Sequence, residues 1–383
     1  MLRVGFECEQ LEGNRFGVGH ALAQLLETIT QIPEIEKQFR LVLHFKKEIP
    51  RDNFLSHPVF EKRILTGGII PPSFNIFYHI LIPIAYWRDK LNLYFFPSYM
   101  LPAFFVGKSI VVLTNDVYWE AHHGNLPFRY RLAYRLFCWW AAKRAHKIFT
   151  ISEFSSGELQ KFYNISRERI FVNPWGLEKI FQELPKDERY LAKIEKIKVQ
   201  FGIENKFFLS IGQAFPRRHI KEAMLAFASI ANQHPDAQYL VATTDKYEPP
   251  VLENLAEEIN QKAGRRAIIY MNYLDREILP HLMNEALALI YVSDKEALGL
   301  PPLEALACGR PAIVKNNGIS RELFGEKGYF VADTNNPNFI ANQMKRILNN
   351  PDEITEILAK QKPNLTRFNW QNLANRILKL FME

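Results

Sequence analysis

The stretch that most constrains this chain is Ala288 to Val314, ALIYVSDKEALGLPPLEALACGRPAIV. Ala288 to Val292 is a short apolar run suited to a buried parallel strand. Ser293 to Gly299 reads as loop. Pro301 and Pro302 fit a first helical turn, where a missing N–H costs nothing. Glu304 to Cys308 continue that turn, and Gly309 is placed to end it in a left-handed cap. Pro311 forbids further helix, and Ala312 to Val314 begin the next strand. Strand, loop, short helix, turn and strand in this order belong to an α/β architecture.

Two carboxylates bracket the turn. Glu296 precedes the helix and Glu304 lies within it, with seven residues between them. A helix start offers unpaired N–H groups and partial positive charge, so an anion such as a diphosphate can dock near Leu300. Carboxylates beside it would then accept hydrogen bonds from sugar hydroxyls. That combination suits a sugar nucleotide. The plainer account is that Glu304 complements the helix dipole and Glu296 is a solvated loop charge.

At 383 residues the chain is long enough for two domains. Hydrophobic residues at 48% and charged ones at 23% describe a globular protein. The net charge of +7 suits nucleic acid, anionic lipid or a phosphorylated ligand. Cys8, Cys138 and Cys308 lie far apart with no CxxC pair, which points to reduced thiols in a cytosolic setting. MLRVGFECEQ starts a strand and carries acids early, so no signal peptide is expected. No run of about twenty apolar residues predicts a transmembrane helix.

Along the chain, Leu2 to Glu7 reads as the first strand. Gly17 and Gly19 then precede a helical pattern with Leu22, Leu25, Leu26 and Ile29 on one face. A glycine loop there lets backbone approach a ligand, although the spacing is not G-x-G-x-x-G; tight packing explains it equally. Leu41 to Phe45 is a second strand. Residues 50–105 are rich in proline and aromatics, and Pro71, Pro72, Pro83, Pro97 and Pro102 break them. They fit irregular core, or a surface that meets an amphipathic acceptor. Ile110 to Leu113 is a strand ending in Thr114-Asn115-Asp116, at the edge where doubly wound sheets bind ligands. Phe128 to Lys147 reads as a basic aromatic helix, fit either to lie on an anionic membrane or to pack with a solvated charged face. After a strand at 147–151, Ser152 is placed to cap the next helix. Ile170 to Val172 leads into Asn173-Pro-Trp-Gly176. The polar, charged residues 182–200 read as a linker. A second α/β series then starts with the strand Phe207 to Gly212. Its loop holds Arg217, Arg218 and His219, and the guanidinium fork suits a diphosphate. Further strands at 239–242, 267–270 and 288–292 alternate with helices at 221–231, 250–263 and 275–286. Two more helices at 338–349 and 352–361 precede an amphipathic helix closing at 368–382.

These pieces resemble the retaining glycosyltransferases of family 4, with the GT-B fold. Glu296-Ala-Leu-Gly-Leu-Pro-Pro-Leu-Glu304 is similar to the family's E-G-F-G-L-P-x-x-E. Gly17-Val-Gly19, Thr114-Asn-Asp116, Thr150-Ile-Ser-Glu-Phe-Ser155, Asn173-Pro-Trp-Gly176, Pro216-Arg-Arg-His219 and Gly318-Ile-Ser-Arg-Glu322 support it in order and spacing. The resemblance implies two Rossmann-like doubly wound α/β domains facing across a cleft. Residues 1–185 would bind the acceptor and 200–365 the nucleotide sugar, with 366–383 a helix crossing back to the N-terminal domain. It further implies that Glu304 binds the ribose hydroxyls, that Glu296 faces the transferred sugar, and that Arg217 and Arg218 hold the diphosphate. Gly212, Gly299, Leu300 and Pro301 would lie along the donor, Tyr273 and Leu274 at its base, and Gly17 and Gly19 near diphosphate or acceptor. Asn115, with Asp116, stands where many members have a His-Asp pair. Ala297-Leu298 in place of Gly-Phe, Gln213, and His219 are further departures.

The expectation is hexose transfer with retention from GDP-mannose, or else from a UDP- or dTDP-hexose, to a glycan or lipid-linked glycan. The likeness to bacterial mannosyltransferases of surface polysaccharides suggests mannose. The setting would be cytoplasmic, at the inner face of a membrane if the acceptor is lipid-borne. No cofactor and no metal are expected, since no Asp-x-Asp motif or clustered His ligands occur. A catalytically inactive nucleotide-sugar or glycan binding protein of the same fold is the alternative, favoured by Asn115 and Ala297. A dinucleotide dehydrogenase is disfavoured by the missing G-x-G-x-x-G. No nucleic-acid motif is present, and no nucleic-acid partner is expected.

Overall fold

The protein is described by a computed structural model covering residues 1–15, 17–66, 72–124, 127–272 and 274–383. It divides into two compact units, Met1–Gly176 with Phe368–Glu383, and Leu177–Arg367.

The first unit holds strands β1 (Leu2–Glu7), β2 (Phe39–Phe45), β3 (Phe60–Ile64), β4 (Leu93–Phe96), β5 (Ser109–Val112), β6 (Lys147–Thr150) and β7 (Ile170–Val172). They form one parallel sheet in the order β3-β2-β1-β4-β5-β6-β7. Val4 pairs with Leu41 on one side and Leu93 on the other. The central strands are buried along nearly their whole length, as strands covered on both faces must be. One face packs on Phe77, Tyr78, Ile82, Cys138 and Ala141. On the other, Phe381 of the closing helix Trp370–Met382 meets Phe6 at 5.8 Å and Phe95 at 6.1 Å.

Asn173-Pro-Trp-Gly176 is part of this packing. Trp175 stacks on Trp370 at 5.9 Å, and a Cβ on Gly176 would stand 2.4 Å from the Trp370 ring. Thr150 to Ser155 is a hydrogen-bonded corner. Ser152 Oγ accepts from Ser155 N–H at 3.0 Å and caps the helix Glu153–Tyr163. Thr150 Oγ1 donates to Ser155 Oγ, which accepts from Asn115 N–H at 3.0 Å. The motif thereby fastens the end of β6 to the end of β5.

Residues 50–105 are more regular than expected. They supply β3, β4 and a continuous helical run through Phe74–Ile76, Phe77–Leu81 and Ile82–Arg88. The middle segment is a π-turn just before Pro83, a wider turn that tolerates the proline's missing donor. Gly17 and Gly19 do not form a loop either. Both lie in the first turn of the helix Gly17–Thr30.

The second unit holds β8 (Lys206–Ala214), β9 (Ala237–Asp245), β10 (Ile268–Met271), β11 (Ala288–Tyr291), β12 (Ala312–Lys315) and β13 (Tyr329–Val331), parallel in the order β10-β9-β8-β11-β12-β13. Residues 182–200 are no simple linker. They contain most of the helix Glu188–Phe201, capped by Asp187 and ended by Gly202 at φ 68°. Tyr190, Ile194 and Ile197 are buried at helical spacing, a stripe masked in composition by the surrounding Lys and Glu.

Candidate functional site

In the second sheet, β8 and β11 are neighbours although their connections run toward opposite edges. That is the switch point of a doubly wound sheet, where the loops at the carboxyl ends part and leave a crevice. The loop after β8 carries Arg217, Arg218 and His219; the loop after β11 carries Ser293, Asp294 and Glu296. Asp294 N–H donates to Arg217 C=O at 2.9 Å and ties the two loops together.

The arginines converge on one carboxylate. Arg217 Nη1 lies 3.2 Å from Glu296 Oε1 and donates to Lys295 C=O at 2.6 Å. Arg218 Nε lies 3.3 Å from the same Glu296 oxygen, and its guanidinium sits 5.1 Å from the Tyr291 ring centre. Burial works against the Arg218 charge, but Tyr291 and Glu296 hold it in place. Gly212 makes room, since a Cβ there would be 3.2 Å from Arg218 Nη1, and its φ of +96° favours glycine.

A second charge network holds this loop pair, and the sequence reading did not pick it out. His219 adopts a left-handed φ of 49° and begins the helix Ile220–Ala228. Its Nε2 is 2.9 Å from Asp294 Oδ2, an ion pair and not an aligned hydrogen bond. Asp294 also receives Lys315 Nζ at 2.6 Å and Thr334 Oγ1 at 3.0 Å. Burial disfavours the imidazolium, yet Asp294 and Glu222 outweigh it and lift His219 to about 9. Burial opposes the Asp294 charge too, and His219 and Lys315 hold its carboxyl well below the usual range. The available signal was a histidine at a strand-to-helix loop with an aspartate two positions before Glu296.

The helix Leu300–Ala307 starts at Gly299, whose φ is 82° and which provides no side-chain cap. Pro301 brings no N–H donor to this turn. Leu300 and Leu303 carry the N–H groups of this first turn, because Pro302 has none either. Glu304 is buried, and desolvation raises its carboxyl to about 7, with Arg276 pulling it down and Glu178 pushing it up. Leu274 is half-buried in the core beneath; Tyr273 lies outside the described residues. A cavity of about 20 Å³, room for a single water, is lined by Tyr291, Glu296, Gly299, Asn317 and Ser320. Asn317 caps the helix Gly318–Phe324 through Ser320 N–H, so the Gly318–Glu322 motif abuts Glu296.

The remaining candidates belong to the first unit. Asn115 is buried at the start of the helix Asn115–His123, and neither polar atom of its side chain has a hydrogen-bond partner among the described residues. Asp116 follows it in the first turn. A Cβ on Gly19 would stand 2.2 Å from Gln10 C=O, so close packing explains this glycine; Gly17 meets nothing within 4 Å. Beside them, at the ends of β1 and β4, lies a cavity of about 400 Å³. Its walls include Glu7, Glu9, Tyr78, Tyr99, Tyr134 and Phe137. Desolvation raises Glu7 to about 8, while the Glu9 N–H it accepts works the other way. Among the described residues, no group of three or more His, Cys, Asp or Glu side chains is placed as a metal ligand set.

Residues 193–364 match the model of the family described as Glycosyl transferases group 1. The chain is 25% identical over 238 residues to the O-antigen chain mannosyltransferase B of Escherichia coli, a match spanning 62% of this chain and 60% of that protein. It superposes on the sucrose-phosphate synthase (tll1590) of Thermosynechococcus elongatus with TM-score 0.73, at 17% identity, over 100% of this chain and 98% of that one. Anabaena Alr3699/HepE, solved in complex with UDP-glucose, gives TM-score 0.72 at 15% identity over 100% of both chains. The family match falls on the unit whose switch point holds the paired arginines, and the fold likeness runs the whole length. Residues 193–364 thus carry the match to the group 1 glycosyl transferases, and the chain as a whole has the GT-B fold.

Proposed function

We propose that the protein transfers a hexose, mannose first among candidates, from a nucleoside diphosphate sugar to a glycan or lipid-linked glycan, with retention at the anomeric carbon. The observation that carries this reading is the meeting of Arg217, Arg218 and Glu296 at the switch point of the second sheet, beside a helix start without a side-chain cap. When the bond from the anomeric carbon to the diphosphate oxygen breaks, the electron pair stays on the diphosphate. Two guanidinium groups and the Leu300 and Leu303 N–H groups would stabilise that charge. Glu296 would keep both arginines aimed and accept a sugar hydroxyl, and Glu304 would take the ribose hydroxyls. The acceptor oxygen would bond to the same face of the carbon while its proton passes to the departing phosphate oxygen. These cationic groups would serve where other enzymes use a divalent ion.

The mannose preference draws on the relative named as an O-antigen chain mannosyltransferase, and a uridine donor is kept open by the UDP-glucose bound to the structural neighbour. On the first unit, the aromatic and carboxyl walls of the 400 Å³ cavity suit a sugar ring, with C–H faces on the rings and hydroxyls on Glu9. A cytoplasmic enzyme at the inner face of a membrane suits a lipid-linked acceptor. A binding protein without catalysis is the second reading, because Asn115 cannot carry a proton at neutral pH.

The test is thermal stabilisation by a panel of nucleoside diphosphates and sugar nucleotides, with and without a chelator. A ligand of the folded state raises the midpoint. A rise with GDP and GDP-mannose that survives the chelator and is lost in Glu304→Ala is the expected result. A rise with uridine ligands alone discards GDP-mannose, and no rise with any nucleotide overturns the donor site. Turnover of a sugar nucleotide excludes the binding-protein reading.

A further inference from the structure

We infer that two neighbouring helices of the first unit form a docking surface for an anionic lipid bilayer. The helix Phe128–Arg144 buries Cys138, Ala141 and Ala142 and turns Phe128, Leu132, Leu136 and Trp139 outward, at helical spacing. Phe128 is 75% exposed and Leu136 58%. The run Phe74–Arg88 repeats the arrangement. It buries Phe77, Tyr78, Ile82 and Tyr86 and turns Ile76, Ile80, Ile84 and Trp87 outward, Trp87 being 65% exposed. A helical run with apolar residues on both its inner and outer sides fits a core or lipid, and among the described residues the outer side of this one stays exposed.

The two stripes belong to one layer. Both helices bury their inner sides in the same hydrophobic cluster, and His79 stacks on Phe137 at 5.3 Å. The segment 103–108 runs alongside, held by Ala103 N–H on His79 Nδ1 and Lys108 N–H on the Tyr86 hydroxyl. Within it Phe105 packs inward on Tyr86, while Phe104 points outward, 71% exposed. Apolar groups gathered this way mark an interaction surface.

Charge selects the occupant. Six Lys or Arg residues fall between positions 121 and 152, without one Asp or Glu. Between Glu61 and Asp116 the sole acid is Asp89, which is buried against His44, Arg63 and Arg88. Arg131 and Arg135 are used internally, on the carbonyls of His122 and Ala121. Arg129 and Arg144 stay exposed at the two ends of the stripe, over Tyr130 at 4.8 Å and Trp140 at 5.4 Å. Aromatic and aliphatic side chains fringed by cations and free of carboxylates fit a negatively charged headgroup layer. Among the described residues no helix is long and apolar enough to cross a membrane, and the proposed contact is made at the surface.

The test is co-sedimentation of the full chain with vesicles of equal parts phosphatidylglycerol and phosphatidylcholine, and with pure phosphatidylcholine. Binding to the anionic vesicles that weakens with salt is expected. Arg129→Gln and Arg144→Gln should each lower partitioning about fivefold. The pairs Leu136→Ser/Trp139→Ser and Ile84→Ser/Trp87→Ser should each lower it at least ~10-fold. These residues are exposed, so the unfolding midpoint and its rise with nucleotide should be unchanged, which separates failure here from failure of the donor site. Absent binding, equal binding to neutral vesicles, or full binding by either serine pair overturns the surface. So does a concentration-dependent dimer, seen by light scattering, that the serine pairs abolish.

Discussion

The two sheets share a strand order and differ at their switch points. In the second unit the loops after β8 and β11, with Lys315 at the end of β12, bring Arg217, Arg218, Glu296, His219, Asp294 and Lys315 into paired contact, which we propose as the site of an anion. In the first unit the ends of β1 and β4 surround an open cavity with aromatic rings and the buried carboxyl of Glu7. Topology decides where a ligand can sit, and the loop residues decide which ligand. On the proposed reading, one fold used twice keeps the place and divides the chemistry.

The largest effect that can break this division is on turnover. Arg218→Ala should lower kcat/KM for the donor by about 10²–10³-fold, the usual cost of losing one preorganised donor to a developing charge. Steady-state kinetics with the donor chosen by thermal shift checks it, and intact turnover would return the site to a purely structural role. Tyr134→Ala in the first cavity should instead raise KM for the acceptor and leave the donor midpoint shift unchanged.

Two glycines sharpen the comparison through stability. Gly19→Ala should cost about 1–3 kcal/mol, because its Cβ would meet Gln10 C=O. Gly17→Ala has open space and should lie within about 1 kcal/mol of the parent. Denaturant unfolding measures both. Equal, small effects would mean that the Gly19 contact relaxes freely.

Each unit also holds one buried acid whose charge opposes folding. Glu304 is raised to about 7 and Glu7 to about 8 from an ordinary 4.5, in both cases chiefly by desolvation. For a carboxyl raised in the folded state, stability falls as pH climbs from the unfolded value through the folded one. The windows are pH 4.5 to 7 for Glu304 and 4.5 to 8 for Glu7. Glu304→Gln and Glu7→Gln should therefore stabilise the free protein at the upper end of their windows, by roughly 1–3 kcal/mol. Glu304→Gln should also lose the midpoint rise with nucleotide, and Glu7→Gln should keep it.

His219 gives a smaller effect of the opposite chemical kind. Its folded value of about 9 lies above the ordinary 6.5, so its contribution is complete below pH 6.5 and lost as pH rises toward 9. The stability of the parent should fall across that window by roughly 1 kcal/mol more than that of His219→Gln. Parallel pH profiles would show that the Asp294 ion pair does not hold the arginine loop.

Much of the fold was legible because its signals are local. Parallel strands covered on both faces read as apolar runs, and β1, β8 and β11 stood out for that reason. Ser152 and Gly309 announced a cap and a stop. The helix Glu188–Phe201 was hidden because three buried side chains among many charges leave composition polar. The run through Phe74–Arg88 was hidden because a π-turn absorbs a proline that ordinarily ends a helix. In the site, Glu296 and Glu304 were visible at their fixed spacing around a helix start, and so were two arginines in a strand-to-helix loop. That both arginines grip Glu296 was not visible, nor was the ion pair between His219 and Asp294, partners 75 positions apart in the chain.

The sequence alone determined much of the order of strands and helices, many of the breaks between them, and the residue types offered at the strand ends it located, since these follow from periodicity, capping and turn chemistry over a few residues. Only the tertiary structure decided which strand ends become neighbours. β8 pairs with β11 across intervening β9 and β10, and that long-range pairing sets Arg217 and Arg218 against Glu296. It also decided that Gly19 serves packing and that the apolar sides of two helices stay outside the core. Such outcomes depend on which surfaces meet and are buried together, a property of the whole packed chain that no short window of residues contains.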